Sequence, residues 1–188
     1  MLGVEAIDRD RAGPVGRQSL EKARFFDRLP LFRQEGMVRS INKAEGVPGS
    51  YTLAEILSQP ECWRECLSAI DGDRQLEKIR KQVARDAAWL FIGCGSSYYV
   101  AQAAAASWTW LTGLHARAAP ASEMLLFPDL ILGDGTCCQP VLISRSGRTS
   151  EMVRAAEYLE TERNIRTLAV SCAAHRALDA ISAATLYL

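Results

Sequence analysis

Short apolar runs alternate with helix-like segments through the second half of the sequence. Runs that are apolar throughout are typical of strands buried on both faces, as in parallel sheets whose connections are helices. The predicted strands are 89–92, a less apolar 115–119, 141–144, 167–171 and 184–188; the predicted helices are 97–111, one turn at 123–127, 150–163 and a short one near Leu178. This order predicts a three-layer α/β/α domain over residues 87–188, with a mostly parallel five-stranded sheet.

Residues 50–86 carry the signals of a helical arm in three pieces. Thr52 and Glu55 have the spacing of a capping box, which predicts a short helix that ends before Pro60. Pro60 suits the first turn of a second helix, and Asp71-Gly72 is expected to end that helix. A third helix is predicted over 73–86.

The first 49 residues show no sustained apolar period, so we expect a poorly ordered or loosely docked extension there. The N-terminus has acidic residues and no apolar core after them, unlike a secretory signal. No apolar stretch approaches the roughly 20 residues that a membrane span needs. We therefore expect a cytoplasmic protein.

Charge and cysteine content exclude several classes of protein. The chain has 22 basic and 22 acidic residues, a balance that argues against a general nucleic-acid or membrane-surface role. Six cysteines are present without a Cys-x-x-Cys pair, and the two histidines lie far from them in sequence. We interpret these thiols as buried or incidental rather than as a zinc site or a disulfide framework, and expect no metal.

Two loops rich in glycine and hydroxyl groups follow predicted strands and open predicted helices. The first loop, residues 93–97, reads Gly-Cys-Gly-Ser-Ser, and the second loop, residues 144–149, reads Ser-Arg-Ser-Gly-Arg-Thr. In an open parallel sheet, ligands bind outside the carboxyl ends of the strands. Free N–H groups at a helix start attract anions, hydroxyls add donors, and glycine lets the backbone approach a ligand. The two loops together predict a site for a phosphate, or for a sugar that carries one.

The same residues allow other interpretations. Gly-x-Gly after a strand begins a dinucleotide fingerprint, but Tyr98 occupies the place of the third glycine and no acidic residue ends the second strand. A nucleotide P-loop is excluded, since no Gly-Lys-Ser/Thr is present. Ser150 is interpreted as a helix cap and Glu151 as a favourable first-turn acid. Arg145 and Arg148 are either ligand residues or solvated loop charges.

No general base stands out in the sequence. His115 precedes the second predicted strand, and His175 follows the fourth. A histidine in such a position is more often a surface or structural residue than a catalyst. Glu123 follows the second strand, where it either lines a pocket or caps a turn. Glu123 and His175 are the catalytic candidates.

The two loops resemble those of the sugar isomerase (SIS) domain family. Gly93 to Ser97 is similar to its first loop, and Ser144 to Thr149 to its Ser-x-Ser-Gly-x-Thr phosphosugar loop. The segment 120–123 resembles a third family element. Upstream, 55–60 and Trp63-Arg64 resemble the segment that precedes the first such domain in tagatose-6-phosphate ketose/aldose isomerase-type proteins, also described as aminosugar-phosphate isomerase/deaminase.

The resemblance implies roles for the residues that match. The side chains expected to contact a sugar phosphate are Ser97, Ser144, Ser146 and Thr149, with Ser96 beside them and backbone help from Gly95, Arg145 and Gly147. Arg148 departs from the family, where a polar or acidic residue is common, so both roles stay open for it.

The resemblance also implies an activity and partners. Family enzymes of this type isomerise an aldose or ketose phosphate, or deaminate an aminosugar phosphate, without a metal or nucleotide cofactor. They carry two such domains, and much of their chemistry lies beyond the first one. We therefore expect 87–188 to be the first domain of a pair. Either the sequence is a fragment of such an enzyme, or the protein is a phosphosugar sensor that does not catalyse. A homodimer is expected, and no nucleic-acid partner, since the arm has no basic recognition helix.

Overall fold

A single all-parallel sheet of five strands forms the centre of the molecule. The computed structural model describes residues 48–72, 75–83, 87–133 and 138–188. The strands are β1 (Ala88–Gly93), β2 (Ala116–Pro120), β3 (Cys138–Ile143), β4 (Leu168–Ser171) and β5 (Ala184–Tyr187), arranged in the order β2-β1-β3-β4-β5. All the neighbouring strands pair in parallel, so the predicted α/β class is confirmed.

Helices connect the strands and cover both faces of the sheet. They are α1 (Ser50–Gly72), α2 (Gln75–Gln82), α3 (Ser96–Thr112), α4 (Ala121–Leu126), α5 (Pro128–Leu132), α6 (Ser150–Glu157) and α7 (Ala177–Ile181). A π-helical turn, Tyr158–Glu162, continues α6. The prediction for the N-terminal extension falls almost entirely outside the described residues.

Alternation along β1 shows how the two faces divide. Leu90 and Ile92 point into the core beneath α4, α5, α6 and α7. Trp89 and Phe91 point to the opposite face, where they pack with α2 and α3. Successive side chains of a strand alternate between faces, so a strand covered on both sides must be apolar throughout, as this one is.

The helical arm differs from the prediction. One helix, α1, runs from Ser50 through Pro60 to Gly72, where two short helices were predicted. Proline removes only its own N–H donor, and the flanking residues continue the helix despite the cost of the lost bond. The helix begins two residues before Thr52, so the predicted cap at Thr52 is also wrong. The helix does end at Gly72, as expected.

β3 and α5 also differ from the prediction. β3 begins at Cys138, three residues earlier than predicted, and contains Pro140. Pairing with β4 begins only at Val141, and the Gln139 side chain bonds the carbonyls of Pro140 and Arg166 in that region. A proline without an N–H is therefore tolerated at this point of the strand. The helix α5 was not predicted, because it is barely more than one turn.

The sheet has a topological switch point between β1 and β3. β2 lies on one side of β1, whereas β3, β4 and β5 follow on the other side. At such a switch point the connections leave β1 and β3 towards opposite faces, which opens a crevice at their carboxyl ends. Among the described residues, no helix is long and apolar enough to cross a membrane.

Candidate functional site

The first and second loops begin side by side at the switch point. Gly93, the last residue of β1, is paired in register with Ile143, the last residue of β3. The first loop then leads into α3 and the second loop into α6. Parallel pairing therefore brings together two loops that are about 50 residues apart in sequence.

Two glycines shape the first loop for different reasons. A Cβ on Gly93 would lie 2.6 Å from the backbone N of Tyr98, so no larger residue fits between the strand end and the first turn of α3. Gly95 has φ 56°, a left-handed conformation that side chains disfavour, and it has open space around it. As the residue before α3, Gly95 has no side chain to cap the first-turn N–H groups.

The second loop is held by a buried serine. Ser144 is only 2% exposed, and its Oγ accepts a hydrogen bond from the N–H of Gly147 at 3.2 Å. Its own N–H donates to the carbonyl of Val170 on β4. Ser146 Oγ accepts from the N–H of Arg148 at 3.3 Å. The loop is therefore preorganised by its own hydroxyls and by the neighbouring strand.

The structure divides the predicted contact residues into inner and outer groups. Ser144 and Gly147 are buried within the second loop. Ser146 and Thr149 of the second loop and Ser97 of the first loop are half-buried. Gly95, Ser96, Arg145 and Arg148 are exposed. The outer group leaves hydroxyl and guanidinium groups at the surface of the two loops, while Ser144 acts as a brace.

The interpretation of Ser150 as a helix cap is wrong. Thr149 occupies the position before α6, and its side chain makes no capping bond there. Ser150 is the first residue of the helix, where its Oγ donates to Glu151 at 3.1 Å. The Thr149 hydroxyl is therefore not engaged by the helix that follows it.

The catalytic candidates follow the carboxyl ends of two strands, β2 and β4, that are separated in the sheet by β1 and β3. Glu123 is exposed in α4, just beyond the carboxyl end of β2. His175 is exposed after β4 with φ 57°. Within the described ranges, neither side chain has a hydrogen bond or ion pair. His115 lies at the opposite end of the sheet, where its carbonyl accepts from Trp89 N at the start of β1, so it cannot reach either loop.

A third loop, residues 172–176 between β4 and α7, entered the prediction only through His175 and was not predicted to contact the second loop. The N–H of Leu178 donates to the carbonyl of Gly147 at 3.2 Å. A Cβ on Gly147 would lie 2.8 Å from the Cβ of Arg176 and 3.3 Å from Ser171 Oγ. Only a polar residue at a strand end, Ser171, signals this contact in the sequence.

Tyr187 is a titratable group near the third loop whose pKa is shifted. The pKa of Tyr187 is raised above its ordinary value of 10.0. The main cause is partial burial, and a hydrogen bond with Asp179 and the negative charge of Asp179 add to it. Tyr187 ends β5 and pairs in register with Ser171, the residue that precedes the third loop. No cluster of three metal-binding side chains occurs in the part of the chain that the structure describes.

Solved structures with the same fold include three informative ones. Tagatose-6-phosphate ketose/aldose isomerase from Escherichia coli has a TM-score of 0.65 and 23% identity, over 78% of this chain and 41% of that one. An Escherichia coli CFT073 protein in complex with a sugar phosphate has a TM-score of 0.57 and 18% identity, over 75% and 74%. The Vibrio vulnificus NanR protein complexed with ManNAc-6P has a TM-score of 0.51 and 25% identity, over 73% and 55%.

The chain therefore spans about half the length, or less, of two of these three proteins. No curated protein sequence matches it. The model of the SIS domain matches residues 86–188, which is more than half of the chain and includes all five strands and both loops. This protein belongs to the SIS domain family.

Proposed function

We propose that the crevice between the first and second loops binds a phosphorylated sugar or aminosugar. The observation that carries the proposal is the register of Gly93 with Ile143, since it starts both hydroxyl-rich loops at the same edge of the sheet. Neutral hydroxyls with backbone N–H groups suit a phosphate, which offers several acceptor oxygens. In this proposal Ser97, Ser146 and Thr149 donate to the ligand, and Gly95 lets the backbone approach it.

The structural relatives support the same class of ligand. Two of them were solved in complex with sugar phosphates, one of which is ManNAc-6P. A third is described as a ketose/aldose isomerase of tagatose 6-phosphate. We infer that the whole protein is an aldose/ketose sugar-phosphate isomerase or a deaminase of an aminosugar phosphate, with this domain as its phosphosugar-binding part.

Titration calorimetry tests the binding proposal. Glucosamine 6-phosphate should bind, and glucosamine should bind much more weakly, because only the phosphate meets the charged and hydroxyl donors of the loops. Galactose 6-phosphate against galactose provides a second matched pair. Equal affinity within both pairs would contradict the phosphate assignment.

The alternative function is phosphosugar sensing without turnover. Isomerisation moves a proton between adjacent carbons and needs a base within about 3 Å of that proton. Among the described residues, no carboxylate or imidazole is hydrogen-bonded to either loop, an observation that favours sensing by this chain. Glu123 and His175 are the proposed bases if it does catalyse.

Proton exchange separates the two functions. In heavy water, NMR would show deuterium at C2 of the sugar phosphate if a base lies within these residues. We expect binding without exchange. Enzyme-dependent exchange that is lost in Glu123→Gln or in His175→Asn would identify the base and would contradict the sensing alternative.

We also propose that the protein is a cytoplasmic homodimer without a nucleic-acid partner. The support for the dimer is an exposed apolar stripe on α1, formed by Leu53, Ile56, Trp63 and Leu67. Exposed apolar helix faces commonly mark protein interaction sites. Sedimentation at micromolar concentration should show a dimer that Leu67→Lys weakens, whereas a monomer at all concentrations would contradict the dimer.

A further inference from the structure

The third loop places an arginine directly against the second loop. Gly147 has φ 61°, and a Cβ on it would come within 2.8 Å of the Arg176 Cβ and 3.1 Å of its Cγ. The stem of Arg176 therefore lies over the glycine between Ser146 and Arg148. Ser146 and Arg148 both belong to the predicted site, so Arg176 begins at its rim.

The backbone of Arg176 is fixed on both sides. Its N–H donates to Asp179 Oδ2 at 2.9 Å, and its carbonyl accepts from the N–H of Asp179 at 3.1 Å. His175, the preceding residue, has φ 57°, a conformation that costs energy for a residue with a side chain. Strained residues persist where the surroundings hold them in place. The origin of the arginine side chain is therefore well defined.

Three arginines around the second loop make no ion pair within the described ranges. They are Arg145, Arg148 and Arg176, and all three are exposed. Arg163, by contrast, pairs with Asp129 at 2.7 Å. Guanidinium groups form strong charge-assisted bonds to phosphate, often through two parallel N–H groups. An arginine that makes no ion pair and lies beside a hydroxyl-rich loop is suited to an anionic ligand.

We propose that Arg176 is a ligand-binding residue that contacts the phosphate of the sugar from the side of β4. This inference rests on the proposed function and adds a third loop to it. The second loop then holds the phosphate by hydroxyls and backbone N–H groups, and Arg176 supplies the charge. The arginine makes the site selective for a doubly charged phosphate over a neutral sugar.

Calorimetry on two variants of Arg176 tests this role. Arg176→Met keeps an unbranched stem over Gly147 and removes the charge; we expect the Kd for glucosamine 6-phosphate to rise about tenfold to a hundredfold. Arg176→Lys keeps the charge and should recover part of that loss. The affinity of the wild type should fall with added salt more steeply than that of Arg176→Met, because salt screens a charge interaction that only the wild type makes. A purely structural role would not produce this difference.

Arg154→Met is the matched control, since Arg154 is an exposed arginine on α6 outside the three loops. The affinity of Arg154→Met should equal that of the wild type. If the wild type binds and Arg176→Met binds equally well, the role of Arg176 is wrong while the proposed function stands. If Arg176→Met and Arg176→Lys lose affinity and thermal stability together, Arg176 is structural and the inference is overturned. If the wild type does not bind glucosamine 6-phosphate or galactose 6-phosphate, both proposals fail.

Discussion

The hydroxyl oxygen of Ser144 accepts a hydrogen bond from the backbone N–H of Gly147 at 3.2 Å, inside the loop that follows β3. The same N–H also donates a longer hydrogen bond to the backbone carbonyl of Ser144, with an N to O distance of 3.3 Å. Ser144 is buried and Ser146 is half-buried at the loop surface. The two serines of one motif therefore have different tasks, and two substitutions separate them.

Ser144→Ala should reduce stability. It removes an acceptor from a buried N–H that keeps only a long bond to a carbonyl, at a cost of about 1 kcal/mol. Urea unfolding followed by circular dichroism measures the change. A variant as stable as the wild type would show that the hydroxyl does not brace the loop.

Ser146→Ala should reduce affinity instead. It removes a donor proposed to contact the phosphate, at a cost of about 1.5–3 kcal/mol, or roughly tenfold to a hundredfold in Kd. The melting temperature should barely change, because the hydroxyl is at the surface of a loop. Unfolding of the variant, with unchanged affinity in the folded fraction, would instead assign a structural role to Ser146.

Gly93→Ala should be more damaging than Gly95→Ala. A Cβ on Gly93 meets backbone atoms of α3, which cannot rotate away, so we expect a loss of at least about 3 kcal/mol. Gly95 has open space, and only its backbone conformation, φ 56° with ψ −127°, is unfavourable, so alanine there costs about 1–3 kcal/mol. Equal losses in chemical unfolding would contradict the steric argument.

Glu160→Gln should destabilise the far end of the sheet. Glu160 Oε1 accepts three hydrogen bonds: from the N–H of Thr167 at 2.6 Å, from the hydroxyl of Thr167 at 2.8 Å and from the N–H of Ala183 at 3.1 Å. These bonds tie the π-helical turn to the approaches of β4 and β5. Bonds to a charged acceptor are the strong ones, so we expect a loss of about 1.5–3 kcal/mol. Glu157→Gln, at an exposed position on α6, is the control and should unfold like the wild type.

Tyr187 should make stability fall at alkaline pH. Its folded pKa is raised above 10.0 by partial burial and by Asp179, so between the two values the unfolded chain has lost a proton that the folded chain keeps. Unfolding then releases a proton, and stability decreases as pH rises through the folded pKa. In Tyr187→Phe this contribution is absent. The stability difference between wild type and variant should be constant up to about pH 9 and change above about pH 10. A difference that is independent of pH would contradict this account.

Local pattern was enough to predict most elements of the fold. Four of the five strands could be predicted from short, largely apolar runs. For β1, β3 and β4 the reason is that a strand covered on both faces has no polar side. β2, with alternating exposure and an arginine near its start, was the least distinct, and it lies at the edge of the sheet. Pro60 misled the prediction, since the steric restriction on the residue before a proline does not show whether the remaining hydrogen bonds carry the helix onward.

The sequence by itself determined the two loops, because glycine and hydroxyl residues at strand ends have local reasons to be there. It could not determine which hydroxyls face inward, since burial of Ser144 depends on β4 lying beside β3. Nor could it place Arg176, which is 29 positions from Gly147 and meets it only because parallel strands carry their following loops to one edge. Sequence spacing encodes local conformation, whereas the neighbours of a loop are decided by strand order, a property of the whole sheet.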